Sequence, residues 1–255
     1  MGLRAECVLA PNPSPMTLDG TNTWILAEPG ARRCVVVDPG PDDDAHIAVL
    51  LEHLAERDLT VGVTILTHGH IDHSESARRW HELTGAPVRA LDPGHRHGGE
   101  GLVDGDVIDI DGLEVAIVGT PGHSADSVSL VVPADSAILT GDTVLGRGTT
   151  VVAWPDGDLG AYLASLDVLR IQAESSAAQR LLPGHGPVLD DPISVLTGYV
   201  DHRRARLEQV RAAMAAGART ADEVVDAVYD DIPENVRPAA VMSAQAQVEY
   251  LNAGG

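Results

Sequence analysis

Short runs of apolar and β-branched residues recur between polar turns through the first half of the chain. Runs of this length and composition are typical of strands that are buried on at least one face. They predict strands at residues 7–9, 23–26, 34–37, 63–66, 107–110, 113–118, 128–132 and 137–139. Asp111 and Gly112 separate two of these runs, and an Asp-Gly pair in that position predicts a hairpin turn.

Amphipathic helical spacing follows some of these strands and then continues to the end of the chain. Apolar faces are formed by Ile47, Leu50, Leu51 and Leu54, by Leu159, Tyr162, Leu163, Leu166 and Leu169, and, after about Pro192, by Val200, Leu207, Val210 and Met214. Gly217 predicts the end of that third helix, and the segment from Thr220 to Glu223 predicts a capping box at the start of the next. A last helix is predicted from about residue 234 to residue 251.

Two successions of strands and helices predict an α/β chain. They favour two facing sheets with helices outside, a four-layer αββα sandwich, although the order alone leaves a doubly wound sheet open. We expect one domain over residues 1–195 and a small helical region over residues 196–255. With 255 residues and 44% hydrophobic residues, the chain has ample material for such a core. It has only two cysteines, no run long enough to span a membrane and no signal-peptide pattern, so we expect a cytoplasmic protein.

The charge balance disfavours partners that carry phosphate chains. The chain has 17 basic and 38 acidic residues, a formal net charge of −21, and all of its basic residues other than histidine are arginines. A surface this acidic repels nucleic acid, and aromatic platforms for stacked bases are scarce. Two basic clusters stand out, at residues 95–97 and 202–206, and both are more typical of solvated surface.

The segment from Thr67 to His73 carries the strongest chemical signal. His68, His70, Asp72 and His73 lie within six residues, directly after an apolar run. Residues two apart in an extended segment point the same way, so His68 and His70 can bind one ion from one side. Asp72 and His73 follow where the chain must turn, which allows them to face a second ion nearby.

Three further residues of the metal-ligand type follow apolar runs in turns that contain glycine or proline. They are His123, Asp142 and His185. Each is weak evidence alone, but together with the first cluster they give five histidines and two aspartates, enough for two ions and a shared carboxylate. Imidazole and carboxylate without thiolate suit Zn²⁺, and Mn²⁺ or Fe fit the same set. Asp38 ends another apolar run, where it is either a support for these ligands or the start of a turn before Pro39.

These seven residues resemble, one by one and in order, the metal motifs of the metallo-β-lactamase superfamily, over about residues 5–190. Residues 12–23, 141–146, 148–151 and 183–187 are similar to the narrower lactamase-beta-like-2 subfamily, whose animal mitochondrial members are endoribonucleases. The resemblance implies the αββα sandwich and a winged-helix-like character for the C-terminal helical region. Ser74 to Ser76 and Ser127 depart from the relatives at positions that bear on substrate fit.

The resemblance also implies roles for the ligands. His68, His70 and His123 would bind the first ion, Asp72, His73 and His185 the second, and Asp142 both, with Asp72 also orienting the attacking hydroxide. Two bound ions lower the pKa of a shared water toward ~7 and thereby make a nucleophile available. The implied activity is metal-dependent hydrolysis.

The substrate is less sharply indicated than the chemistry. The subfamily resemblance favours a single-stranded RNA phosphodiester, with Arg147, Arg203 and Arg204 as the candidate phosphate contacts. The alternatives are a thioester, as in hydroxyacylglutathione hydrolases, and weak β-lactam hydrolysis. We expect a small-molecule or RNA substrate and no membrane partner, and the sequence leaves a homodimer open.

Overall fold

The computed structural model describes residues 4–229 and 232–255. The strands in these residues are β1 (Ala5–Leu9), β2 (Asn22–Leu26), β3 (Arg33–Val37), β4 (Thr60–Ile65), β5 (Val88–Arg89), β6 (Val107–Ile110), β7 (Leu113–Gly119), β8 (Val128–Val132), β9 (Ala137–Gly141), β10 (Arg180–Pro183) and β11 (Leu189–Asp190). The α-helices are α1 (Asp44–Glu56), α2 (Ile71–Ser74), α3 (Ala77–Thr84), α4 (Leu159–Ser175), α5 (Pro192–Ala216), α6 (Ala221–Val228) and α7 (Arg237–Asn252).

The strands form two mixed sheets. The first has the order β1-β2-β3-β4-β5 and the second the order β11-β10-β9-β8-β7-β6. β3 and β4 are parallel, so their C-terminal ends lie at one edge of the first sheet. β7, β9 and β10 also run in one direction, because β8 is antiparallel to both β7 and β9 while β9 and β10 are parallel. Their C-terminal ends therefore meet at one edge of the second sheet.

Alternation along the strands builds four layers. In β3, Val35 and Val37 face the core between the sheets, whereas Cys34 and Val36 face α1 and α3. In the second sheet Leu139 faces the same inner core, and its neighbour Ile138 packs outward with residues of α4, α5 and α7. The prediction of an αββα sandwich is confirmed, and the doubly wound alternative is wrong.

α5 packs on the outer face of the second sheet, and α6 packs against α5 and α7. Leu196 and Tyr199 of α5 belong to the same buried cluster as Ile138 and Leu181 of the strands. α5 begins at Pro192, so the predicted division after residue 195 falls inside a helix that is continuous with the core. The regular structure in residues 192–229 and 232–255 is entirely helical. The division into two domains and the winged-helix likeness remain predictions.

The predicted elements agree with the structure except at some boundaries. Gly217 ends α5 with a φ of 119°, and Thr220 and Glu223 form the expected capping box at the start of α6. The last helix begins at Arg237 and not near residue 234, because residues 234–236 form a turn before it. Among the described residues, no helix is long and apolar enough to cross a membrane.

Candidate metal centre

The predicted ligand segment lies between a strand and a short helix. β4 ends at Ile65, and His70 is the N-cap residue of α2, with extended dihedral angles of −60° and 145°. His68 and His70 thus precede the helix, whereas Asp72 and His73 occupy its first turn. The change of backbone conformation at His70 divides the segment into two pairs of side chains, as the spacing predicts.

Three imidazoles converge on one point. Nε2 of His68 and Nε2 of His123 each lie 3.0 Å from Nδ1 of His70. His68 and His123 are buried, whereas His70 keeps 43% of its side chain exposed. Three nitrogen atoms at this spacing, open to solvent on one side, form a candidate site for a metal ion.

A second group converges beside the first. Nε2 of His73 lies 3.2 Å from Nε2 of His185, and Oδ2 of Asp72 lies 3.3 Å and 3.1 Å from these two nitrogens. Asp142 lies between the two groups: its carboxylate is 3.5 Å from Nε2 of His73, 3.3 Å from Nε2 of His185 and 3.7 Å from Nε2 of His123. The fold therefore brings all seven predicted residues together.

Hydrogen bonds on the far side of the rings turn lone pairs toward the centre of this group. Nδ1 of His123 donates to the carbonyl of Val151 at 2.8 Å, and Nδ1 of His185 donates to the carbonyl of Gly20 at 3.1 Å. A carbonyl only accepts, so in the neutral imidazole Nε2 carries the lone pair. In that neutral form, Nε2 of His185 turns a lone pair toward the carboxylate oxygens of Asp72 and Asp142, an arrangement that a proton or a metal ion between them stabilises. Oδ1 of Asp142 is buried without a hydrogen-bond partner in the described residues. This set of acceptors fits a cation.

The electrostatics favour the same conclusion. Burial raises the pKa of Asp142, but the neighbouring His73 and His185 outweigh it and hold that pKa well below its ordinary value. Burial lowers the pKa of His73, but Asp142, Asp38 and Asp72 raise it well above the ordinary value. The same balance, with Asp142 as the main carboxylate, raises the pKa of His185 to about 9. Positive charge at this position, as protons or as metal, is therefore stabilised.

Asp38 supports the second group from behind. It is buried at the end of β3 with a positive φ of 53°. Its Oδ1 accepts from the backbone N–H of Thr67 at 2.7 Å, and its Oδ2 accepts from Oγ1 of Thr67 at 2.7 Å and from Nδ1 of His73 at 2.9 Å. Of the two roles that the sequence left open, these contacts match the support of a ligand.

A glycine is required where the second sheet approaches the ligands. A Cβ on Gly184 would lie 2.5 Å from Oδ1 of Asp142 and 2.7 Å from Cε1 of His73. Such contacts would force the ligand side chains apart. The glycine of the Pro-Gly-His sequence at residues 183–185 therefore lets the backbone lie close to the ligand side chains, in addition to allowing the turn.

Comparison with known proteins agrees with this geometry. The sequence model of the family described as the Metallo-beta-lactamase superfamily matches residues 16–185, a span that contains all seven ligand residues. The chain belongs to this superfamily. It is 31% identical over 252 residues to the Beta-lactamase-like protein 2 homolog of Caenorhabditis elegans, which covers 96% of this chain and 82% of that protein. It is 32% identical over 263 residues to the Atrochrysone carboxyl ACP thioesterase of Aspergillus chevalieri, with 98% and 81% covered.

Solved structures show the same fold. A metallo-beta-lactamase family protein from Thermus thermophilus aligns with a TM-score of 0.81 at 23% identity, over 99% of this chain and 94% of that one. A beta-lactamase domain protein from Burkholderia ambifaria aligns with a TM-score of 0.82, also at 23% identity, over 99% and 86%. The predictions of family and of an enzyme of the hydrolase class are confirmed. The number and identity of the metal ions remain predictions.

The three arginines predicted to contact phosphate do not lie together at the metal centre. Arg203 is only 4% exposed, and it donates to the carbonyl of Thr150 and stacks over the ring of Tyr162. Arg204 is exposed in a groove between α4 and α5 that none of the seven ligand residues lines. Arg147 forms an exposed ion pair with Asp19, 2.9 Å between Nη2 and Oδ1. Arg203 lies at helical spacing from Val200, Leu207 and Val210, so the periodicity of α5 places it on the inward face although its charge suggests solvent.

Sequence reasoning missed contacts from the segment that precedes β2. Oγ1 of Thr21 donates to Oδ2 of Asp72 at 3.2 Å, and the carbonyl of Gly20 accepts from His185. Asn12 holds Thr21 in place through a hydrogen bond from the Thr21 N–H to Oδ1, at 2.9 Å. The only signal for these residues is their place in the motif at residues 12–23, to which the sequence assigned no role.

Proposed function

We propose that this hydrolase is a metal-dependent thioesterase that binds two divalent ions through the seven converging side chains. The observation that carries the metal dependence is the convergence of five imidazoles and two carboxylates in three overlapping groups of possible ligand atoms. The choice of a thioester rests on the likeness, over 91–98% of this chain, to fungal proteins named as thioesterases and on where the arginines lie.

Each ion would have its own ligands. His68, His70 and His123 would hold one ion, Asp72, His73 and His185 the other, and Asp142 would contribute to both. The donor set of imidazole and carboxylate suits Zn²⁺, and Mn²⁺ or Fe fit it as well. When bound, the ions supply Lewis-acid chemistry that lowers the pKa of water toward ~7.

Asp72 is suited to a task besides ligation. Burial raises its pKa, but His73 and His185 lower it far more, so the side chain stays ionised. It is 23% exposed, twice the 11% of Asp142, and its Oδ2 is oriented by Thr21. An ionised carboxylate at the open side of the centre would accept a hydrogen bond from the attacking water and aim it at the substrate carbonyl.

The positions of the arginines favour a substrate with an uncharged reacting group, such as a thioester carbonyl, over a phosphodiester. Hydrolysis of a thioester needs no array of cations, whereas RNA binding draws most of its affinity from them. Of the arginines predicted for phosphate contact, Arg203 is buried, Arg204 lies in another groove and Arg147 is paired with Asp19. Single-stranded RNA is therefore the second candidate, favoured by the motif at residues 12–23, and a β-lactam is the third.

One set of assays separates these substrates. The purified protein is tested on an acyl thioester of N-acetylcysteamine, on single-stranded RNA and on a chromogenic cephalosporin, with and without chelator. We expect metal-dependent thioester hydrolysis that falls ~100-fold or more in Asp72→Asn, the order found when a positioned acid–base group is lost. Asp167→Asn, which changes an exposed carboxylate of α4, serves as the control.

Other results would change the assignment. RNA turned over faster than the thioester, and lost in Asp72→Asn, would move the assignment to the endoribonuclease. RNA cleavage that persists in Asp72→Asn would point to a contaminating nuclease. Thioester hydrolysis that survives both the chelator and Asp72→Asn would refute the metal-dependent mechanism.

A further inference from the structure

The segment that follows β9, residues 142–151, contributes to the metal centre at both of its ends. Asp142 is its first residue, and the carbonyl of Val151, its last, accepts from Nδ1 of His123 at 2.8 Å. Two of the sequence motifs noted above lie within residues 141–151, and the seven ligands account for only one of their residues. The segment contains no helix and no strand, so its backbone is fixed by contacts with other elements.

Two buried tyrosines hold the first half of this segment. Oη of Tyr162, on α4, donates to the carbonyl of Thr143 at 2.7 Å. Oη of Tyr199, on α5, accepts from the backbone N–H of Leu145 at 2.9 Å and donates to the carbonyl of the same residue at 3.1 Å. Because both tyrosine side chains are buried, water cannot easily replace these hydrogen bonds.

A buried guanidinium holds the other end of the segment. Arg203 of α5 is only 4% exposed, and its Cζ lies 4.9 Å from the centre of the Tyr162 ring. It donates through Nη2 to the carbonyl of Thr150, and Oγ1 of Thr150 donates in turn to the carbonyl of Asp142 at 2.8 Å. These hydrogen bonds connect α5 to the residue that carries the shared carboxylate. Thr150 also directly precedes Val151, so the same contact restrains the carbonyl that orients His123.

We propose that Tyr199 and Arg203 of α5 are positioning residues for the metal centre. They fix the backbone of residues 142–151, and thereby the carboxylate of Asp142 and the acceptor for the His123 ring. This rests on the metal centre proposed above and not on which substrate it hydrolyses. It gives a role in metal binding to a helix that supplies none of the seven ligands.

A residue that only stabilises the fold would behave differently from a positioning residue. Its loss lowers the free energy of unfolding, but the molecules that remain folded bind metal with unchanged affinity. Loss of a positioning residue changes the affinity of the folded protein and the geometry of the bound ion. Metal binding measured where every variant is folded therefore separates the two roles.

The test is a titration of Co²⁺-loaded protein with a chromogenic chelator, because the visible spectrum of bound Co²⁺ reports the geometry of its ligands. Tyr199→Phe removes one hydroxyl, and Arg203→Met removes the guanidinium but keeps an unbranched apolar side chain. Tyr229→Phe is the matched control, because the hydroxyl of Tyr229 bonds to Nε2 of Gln247 on α7 at 3.1 Å and not to the segment. Circular dichroism verifies that each protein is folded.

We expect Tyr199→Phe and Arg203→Met each to lose about 10-fold in Co²⁺ affinity, the lower end of what residues that orient a metal ligand contribute, and to alter the spectrum. Tyr229→Phe should retain the wild-type affinity and spectrum.

Wild-type affinity and spectrum in Tyr199→Phe would overturn the proposal, and this variant decides the matter if Arg203→Met does not fold. An equal loss in Tyr229→Phe would also overturn it, because any lost hydrogen bond among the helices would then have the same effect. A wild type that binds no Co²⁺ would instead overturn the metal centre itself, and this proposal with it.

Discussion

A single carboxylate oxygen of Asp38 sets the orientation of His73. In Asp38→Asn, one orientation of the new amide places its N–H groups against the ring N–H of His73 and the hydroxyl of Thr67. In the other orientation they face the backbone N–H of Thr67, which then has no acceptor. We expect metal affinity to fall by roughly 10–100-fold, as for other residues that orient a metal ligand. Competition with a chromogenic chelator measures this, with circular dichroism to verify folding. An unchanged affinity would show that His73 is positioned without Asp38.

The shared carboxylate gives a stronger prediction. Asp142→Ala should leave a folded protein, because the side chain belongs to none of the apolar core clusters, but it should lower the metal content from about two ions to one or fewer per chain. Elemental analysis of protein purified without chelator measures this, with Asp167→Ala as the control. Two ions retained by Asp142→Ala would exclude a carboxylate shared between the sites.

At the scale of residues, the sequence predicts the side chains that would bind metal but not the groups that hydrogen-bond to those side chains. The ligand types and spacings at residues 68–73 identify the ligands without knowledge of the fold. The supports are backbone carbonyls, such as those of Gly20 and Val151, which any residue type can supply and which therefore leave no pattern. Arg203 is a different case, since its spacing from Leu207 and Val210 indicates the inward face of the helix while its charge suggests solvent.

At the scale of elements, short β-branched runs and turn chemistry predicted the longer strands, and the family resemblance decided for the αββα layers. The strands that escaped prediction are β5, β10 and β11, of two to four residues, which are too short for a period to register. The helix after the ligand segment is implied by the resemblance and not by periodicity, because most of the eight residues of α3 are polar or charged and only Ala77 and Trp80 are buried. Their positions are set by pairing and packing with distant parts of the chain.

Two glycines in different elements should respond to the same substitution in opposite ways. Gly198→Ala lies on the exposed face of α5, where an added Cβ meets nothing within 4 Å, and should stabilise the protein by ~0.5–1 kcal/mol. Gly184→Ala puts a Cβ against Asp142 and His73 and should weaken metal binding. Chemical denaturation and the chelator competition are run on both. A Gly184→Ala protein with wild-type metal affinity would contradict the close approach described here.

At the scale of the whole molecule, the C-terminal helices should unfold together with the sandwich. Leu196→Ala removes a fully buried side chain from the core shared by α5 and the second sheet and should cost ~2–5 kcal/mol, whereas Ile171→Ala on the exposed side of α4 should cost little. Trp24 and Trp80 are buried in the sandwich and Trp154 lies at α7, so tryptophan fluorescence weights the sandwich and circular dichroism weights the helices. The two transitions should coincide. Separate transitions would make the C-terminal helices an independent unit.

The ligand residues come from both sheets, so a bound ion would also connect the two halves of the sandwich. His68 to His73 follow a strand of the first sheet, whereas His123, Asp142 and His185 follow strands of the second. An ion bound across these groups is a removable cross-link between the two halves of the sandwich, and it closes a long loop of chain. Chelation should therefore speed digestion by a protease well before it changes the helix content, and equal digestion rates would contradict this. Metal supply would then govern the lifetime of the protein as well as its turnover.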